Sequence, residues 1–523
     1  MESLVLEIID KLPHITAKEI KDLQRDFAKK NKMQTLPSKS DILQAYFALL
    51  KDGAIEENAG FELLLKKRAI RSMSGIVSVQ VLTKPRGCPG QCIFCPNDPS
   101  MPKSYIKSEP GASRAFLNQF DPVKQVWNRL QSLTLTGHKP EKIEMIVLGG
   151  SRDAYDEEYK ESFMKGLYDA CNSFGELEIT VNNPSSVATL LPLPYQGENI
   201  SEKELIKIMN QSGTTNESGN IVLPAARLGS RETDGVVESK RAMDIQSKYG
   251  FQITNEKQIQ NSFSASLKEA IEKNETAKHR IIGLTIETRP DLVNHENCQK
   301  WRTYGVTRIE MGVQSTDDEV LKMNKRGHLM KETRDALHIL RMYGFKISLH
   351  VMPGLYGSCE EKDIQSFITL FSDSYLKPDE LKIYPTSVIP GTELYNLWKE
   401  GKYTPISTAE IVKIIEMIFR EVVPPYTRIK RLIRDIPATE IEAGSSITNL
   451  AQLVHERLLK EYRNDNKGGK IKDFYARLYE NDELISTEII GEKPDITSFR
   501  NFVSLDTRSR EVRHKFLPNS QAK

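Results

Sequence analysis

The sequence predicts an α/β fold: a partial (β/α)6 barrel with an N-terminal helical domain and a helical, basic C-terminal extension. Three observations carry this expectation. From about residue 76, short apolar or β-branched runs alternate with helical stretches, the pattern of parallel strands joined by crossover helices. Six such runs stand out, at Val77–Leu82, Ile143–Leu148, Ile281–Ile286, Arg308–Val313, Ile347–Met352 and Leu381–Tyr384. Each is followed by polar or turn-forming residues, and in a barrel the strand ends on that one rim hold the working groups.

Residues 1–65 form the predicted helical domain. Ile20, Leu23 and Phe27 recur at helical spacing, and Ile42–Leu50 follows the loop Leu36–Ser40. Residues 66–400 form the barrel. Within it, residues 173–261 are rich in Asn, Ser, Gly and Glu and read as an insertion, since so long a structureless connection is uncommon in a compact barrel. Residues 401–523 are expected to be helical and basic. A chain of 523 residues exceeds what one hydrophobic core usually serves, so several domains are expected. No apolar run approaches the about 18 residues of a membrane span, and the N-terminus lacks the layout of a secretory signal. A cytoplasmic protein without a membrane partner is expected. Lys and Arg number 73 against 71 Asp and Glu, so net charge decides nothing about nucleic acid and local patches must.

Of six cysteines, three fall in Cys88-Pro89-Gly90-Gln91-Cys92-Ile93-Phe94-Cys95, with spacing C-x3-C-x2-C directly after the first run. Three thiolates can hold three irons of a [4Fe–4S] cubane and leave the fourth without a protein ligand. S-adenosylmethionine (SAM) can fill that vacancy and be cleaved to a 5′-deoxyadenosyl radical, the chemistry of a radical SAM enzyme. The alternatives are a zinc site or a structural cluster, both of which ordinarily take four protein ligands. Gly149 and Gly150 end the second run, where backbone must either approach SAM or make a tight turn. Lys84, Glu287, Gln314 and His350, on strands or at their ends, are the candidate catalytic residues; each is otherwise a satisfied polar group of the fold.

Longer motifs carry a resemblance. Lys67–Ile76, Thr83-Lys84-Pro85, Lys103-Ser104-Tyr105, Gly283–Asp291, Gly312–Ser315, Lys325–His328, His350–Gly354, Leu381–Thr386, Gly391–Tyr395 and Arg434–Ala438 closely resemble the catalytic subunit of Elongator, over roughly residues 60–460. The resemblance implies a tRNA enzyme that installs a carboxymethyl group on C5 of the wobble uridine. SAM would supply the radical and acetyl-CoA the carbon unit, with Lys142 at a position that contributes to acetyl-CoA handling. The family's cysteine-rich segment before its acetyltransferase domain corresponds here to Ser504–Val512, without cysteine. No such domain is expected after Val512, because one needs on the order of a hundred residues. The acetyl-CoA function is then lost or supplied by a separate acetyltransferase or Elongator-like partner.

Two cation groups are candidates for tRNA phosphates: Lys66, Lys67, Arg68 and Arg71 at the entry to the barrel, and Arg428, Lys430, Arg431 and Arg434 beyond the sixth run. Lys29, Lys30 and Lys32 form a weaker third. The competing reading is that the arginines of the second group pair with carboxylates such as Asp435 and Glu440. Three functions remain open: a radical SAM enzyme acting on tRNA, a non-catalytic tRNA-binding accessory subunit that keeps the cluster, or, more distantly, a radical SAM enzyme on another substrate.

Overall fold

The computed structural model describes residues 1–66, 72, 74–149, 155–177, 179–181, 251–253, 255–424, 426–447, 450–451, 453–454, 457–458, 479–480 and 483–484. Helices Glu2–Asp10, Ala17–Lys30, Lys39–Lys51 and Ala59–Leu65 open the chain. Two of them start at reciprocal caps, Thr16 with Glu19 and Ser38 with Asp41, each satisfying backbone N–H groups that the first turn leaves free. Leu4, Val5, Ile8, Ile42, Leu43 and Phe61 form their shared core, with Tyr46 stacked on Phe61 at 4.4 Å. Lys139 ties this layer to the residues before the second strand through Glu57 (2.6 Å) and Glu62 (3.0 Å).

The central sheet has seven parallel strands in the order β1-β2-β5-β6-β7-β8-β9. They are β1 (Val77–Leu82), β2 (Lys142–Leu148), β5 (Arg280–Thr288), β6 (Arg308–Gln314), β7 (Lys346–Val351), β8 (Glu380–Ile383) and β9 (Arg428–Arg431). The first six coincide with the six runs. The seventh corrects the six-stranded expectation, and it falls where a helical, basic extension was predicted. Ion-pair distances show that the sheet is curled. Strands lie about 4.8 Å apart, so in a flat sheet β2 and β9, five positions apart, would be separated by roughly 24 Å. Yet Lys430 Nζ of β9 lies 3.2 Å from Glu144 Oε1 of β2. The two must face each other across the interior of an incomplete barrel.

Alternation assigns the two faces. Ile143, Met145, Val147, Leu284, Ile286, Ile309, Met311, Ile347, Leu349 and Leu381 are buried on the outer side, which the crossover helices cover. The other phase points inward and is polar: Glu144, Thr285, Glu287, Arg308, Glu310, Ser348, His350, Glu380, Lys382, Arg428 and Lys430. Helix Thr408–Glu421 leads into β9. Residues 179–254 make a separate unit, in which β3 (Ile179–Val181) and β4 (Phe251–Ile253) pair antiparallel. Apart from these strands, residues 182–250 of the predicted insertion lie outside the described residues. Near the C-terminus, β10 (Tyr479–Glu480) and β11 (Glu483–Leu484) form a short antiparallel pair. Among the described residues no helix is long and apolar enough to cross a membrane.

Candidate active site

The cysteine loop leaves β1 at the C-terminal rim and is pinned from two sides. Ile93 N–H donates to Asn324 O (3.3 Å) and Ile93 O accepts from Leu394 N–H (2.9 Å), while the Ile93 side chain is buried among Val388, Leu394 and Tyr403. This fixes the middle of the motif and leaves Cys88, Cys92 and Cys95 partly accessible. Gly90 N–H turns back to Cys88 Sγ at 3.3 Å. Two guanidiniums converge on the next sulfur: Arg326 Nη1 lies 3.0 Å and Arg289 Nη1 3.9 Å from Cys92 Sγ. Asp291 holds Arg289 by its Nε (3.0 Å), and a Cβ on Gly90 would overlap the Arg289 guanidinium, so glycine leaves room for this approach.

These residues fit an iron–sulfur cluster. Two cations on one sulfur suit a thiolate and the anionic cluster it would join, not a neutral thiol. Burial pushes the Cys95 thiol up to about 11, with Cys92 adding to the effect and Lys103, Arg434 and Ser104 opposing it. Iron in place of the proton removes that penalty. Among the described residues, the group of three metal-binding side chains within 4.8 Å of one another is Glu287, Glu310 and His350, not the cysteines.

The neighbouring strand end is locked from within. Gly149 has φ 137°, and a Cβ there would overlap Thr83 Oγ1. Thr83 Oγ1 in turn lies 2.9 Å from Tyr155 Oη and 3.3 Å from Gly149 O. Glycine at 149 is therefore demanded by Thr83 packing, which joins the ends of β1 and β2, whatever ligand lies beyond. Gln314, ending β6, has φ 74°, a left-handed conformation uncommon for a residue with a side chain. Its backbone O accepts from Met352 N–H (2.8 Å), and its buried side-chain Oε1 has no partner. Gln314 thus combines a left-handed backbone with an unpartnered buried acceptor at a strand end.

Below the rim lies a ladder of buried charge. Glu287 and Glu310 sit directly opposite on β5 and β6, an arrangement that repels unless cations intervene. Lys382 Nζ supplies one at 2.5 Å from Glu310 Oε2, His350 Nε2 lies 3.5 Å from the same oxygen, and Lys430 Nζ is 3.9 Å from Oε1. Burial opposes the charge on Glu310, but Lys382, His350 and Lys430 outweigh it and hold the carboxyl well below the usual range. Glu144 is treated alike: burial is outweighed by Lys430 and Arg308. Although Glu287, Glu310 and His350 have metal-ligand composition, Lys382 already fills the cation's place beside Glu310. At the top of the ladder, the Tyr105 hydroxyl donates to Glu287 Oε2 (2.8 Å).

Thus Glu287, Gln314 and His350 converge on the interior next to the cysteine loop. Lys84 stays at the exposed rim, with its Nζ 4.2 Å from the Tyr159 ring centroid. Lys142 does not join them: it is exposed at the start of β2, six residues or roughly 20 Å along the strand from the rim. Gly150, Lys67, Arg68 and Arg71 lie outside the described residues; Lys66 caps the helix Ala59–Leu65. The second cation group is not one phosphate-facing patch. Arg428 faces inward toward Glu380 (4.0 Å), and Lys430 is tied to Glu144 and to Glu380 (3.4 Å). Arg434 is paired with Glu109 at 2.8 Å. Arg431 alone of the four is substantially exposed, with 41% of its side chain accessible beside Asp435. Sequence reasoning missed Arg289, Arg326, Tyr105, Glu310 and Lys382; the inward phase of the strand pattern was the available signal for the last two.

Comparison with known proteins follows the same lines. Residues 251–368 match the model of the radical SAM superfamily, and residues 378–460 that of the radical SAM C-terminal domain. The chain is 34% identical over 378 residues to tRNA uridine(34) acetyltransferase of Dehalococcoides mccartyi, covering 72% of this chain and 63% of that protein. It is 31% identical over 405 residues to Elongator complex protein 3 of Homo sapiens, covering 75% and 58%. Among solved structures it resembles Methanocaldococcus infernus Elp3 lacking residues 1–46, with TM-score 0.50 and 29% identity over 74% of this chain and 63% of the other. The chain thus spans less than two thirds of the length of these relatives. With its cysteine loop at the rim of a parallel barrel, it belongs to the radical SAM superfamily, in the family of tRNA uridine(34) acetyltransferase and Elongator complex protein 3.

Proposed function

We propose that this chain is a radical SAM enzyme that binds tRNA and modifies C5 of the wobble uridine. The observation that carries the reading is the convergence of Arg289 and Arg326 on a three-cysteine loop that opens onto a polar barrel interior. Cys88, Cys92 and Cys95 would hold three irons of a [4Fe–4S] cluster. With SAM bound at the fourth, cluster and SAM together supply a 5′-deoxyadenosyl radical. Arg326 Nε, buried and without a partner, offers a donor to the SAM carboxylate.

Uracil must leave its stack to reach a barrel interior, and the anticodon loop is where tRNA permits this. The interior suits a flipped base. Gln314 Oε1 is a free acceptor, Lys382 and the Tyr105–Glu287 pair set the polarity, and His350 stands beside Tyr384 at 5.5 Å between ring centroids. For phosphates, Lys66, Arg431 and the exposed Lys29, Lys30 and Lys32 remain, together with Lys67, Arg68 and Arg71 from the sequence. The names of the relatives support uridine 34 as target and an acetyl-derived carbon unit. Nucleoside mass spectrometry of tRNA from cells with and without the gene tests the proposal. Loss of a C5-modified wobble uridine is expected in the deletion, and its return on complementation. An unchanged profile would contradict the reading and favour an accessory role.

A further inference from the structure

Arg434 belongs to the segment after β9, yet its contacts are with the loop that follows the cysteines. Its Nη2 reaches Glu109 Oε1 at 2.8 Å and also Ser104 O, and its Nη1 donates to Ser104 Oγ at 3.1 Å. The guanidinium carbon lies 5.2 Å from the Tyr105 ring centroid. Beside these polar contacts Ile436 packs on Ile106 and Ile389, so the two segments share an apolar seam. Ser104 stands in the left-handed region at φ 84°, a conformation uncommon for a residue with a side chain and kept only where the surroundings impose it. Here Arg434 grips it by both backbone and side-chain oxygens. Ser104 N–H in turn donates to Pro96 O at 3.2 Å, so the residue that Arg434 holds is tied to the one that follows Cys95. On the other side of the same residue, Tyr105 carries the hydrogen bond to Glu287.

We infer that Arg434 is a positioning residue, not a phosphate contact. By holding Ser104, it fixes the loop that leaves Cys95 and sets Tyr105, and through it Glu287, over the barrel mouth. The inference deepens the radical SAM reading and rests on it. Groups that orient a ligand of a cluster tune its potential, so their loss moves the midpoint.

The test uses the full chain reconstituted anaerobically, as parent, Arg434→Gln, Arg434→Lys, Ser104→Ala and the Arg434→Gln/Ser104→Ala double variant. Iron content, the EPR-monitored midpoint potential and the KM and kcat of SAM cleavage to 5′-deoxyadenosine are read for each. Arg434→Gln and Ser104→Ala should each keep iron, shift the midpoint and lower kcat about tenfold or more with little change in KM. The double variant should be no worse than the more affected single one, because both act along one path. Arg434→Lys should retain part of the activity. Parent-like midpoint and kcat in Arg434→Gln, or additive losses in the double variant, overturn the inference. So does a defect confined to tRNA affinity. Should Arg434→Gln fail to fold, a parent-like midpoint and kcat in Arg434→Lys and Ser104→Ala overturn it equally. A parent that takes up no iron would instead remove the underlying radical SAM reading, and this inference with it.

Discussion

Glu310 shows how a single residue in the wrong hydropathy class can define a site. It is fully buried on β6, opposite Glu287, and its charge is maintained by Lys382, His350 and Lys430. Replacing Glu310 by Gln strands a buried Lys382, and breaking such a pair costs about 3–5 kcal/mol. Chemical denaturation should show that loss; a midpoint within experimental error of the parent would mean that the lysine finds another partner. The cysteines were legible because three thiols in eight residues have few uses, and their spacing alone indicated the chemistry. Arg289 and Arg326 were not, because a lone arginine in a loop looks the same whether it faces solvent or a sulfur. The same ambiguity misread Lys430 and Arg434, whose charge was visible but whose partners, Glu144 and Glu109, lie 286 and 325 residues away.

At the scale of elements, six of the seven sheet strands were visible as apolar runs, and β9 was not. Arg428-Ile429-Lys430-Arg431 has one apolar residue, because its inward neighbours are carboxylates and its outward phase is a single isoleucine. A bulge adds to the disguise. Glu380 pairs with Arg428 and Leu381 with Ile429, but Lys382 pairs with Arg431, so Lys430 is the extra residue. The strand therefore sorts its cations into distinct fates. Charge reversal at Arg431 breaks only an exposed pair with Asp435, worth at most about 1 kcal/mol, so the fold should survive. If Arg431 meets a phosphate, tRNA affinity and the slope of its salt dependence should both fall, the slope by about one unit. Lys430→Met, by contrast, leaves Glu144 short of a partner and should destabilise by about 3–5 kcal/mol. Equal thermal stability of the two variants would contradict this division.

For the molecule as a whole, the charged interior links stability to pH. Glu144 and Glu310 have folded-state values below the unfolded value of 4.5, so each binds a proton less readily when folded. Their contribution is complete above that value and is lost as pH falls below it toward the folded values. The unfolding free energy of the iron-free protein should thus fall steeply below about pH 4.5, and a flat profile down to pH 3.5 would show that these carboxyls are not charged in the fold. The barrel's outline was readable because its outer face obeys simple alternation. Its curl and its polar interior were not, since both depend on which strands meet across the barrel. The most direct measurement is anaerobic reconstitution of the chain with iron and sulfide, followed by reduction in the presence of SAM. The expected result is about four irons per chain and formation of 5′-deoxyadenosine, both abolished by Cys92→Ala. Stoichiometric zinc without iron, or iron uptake that survives Cys92→Ala unchanged, would contradict it.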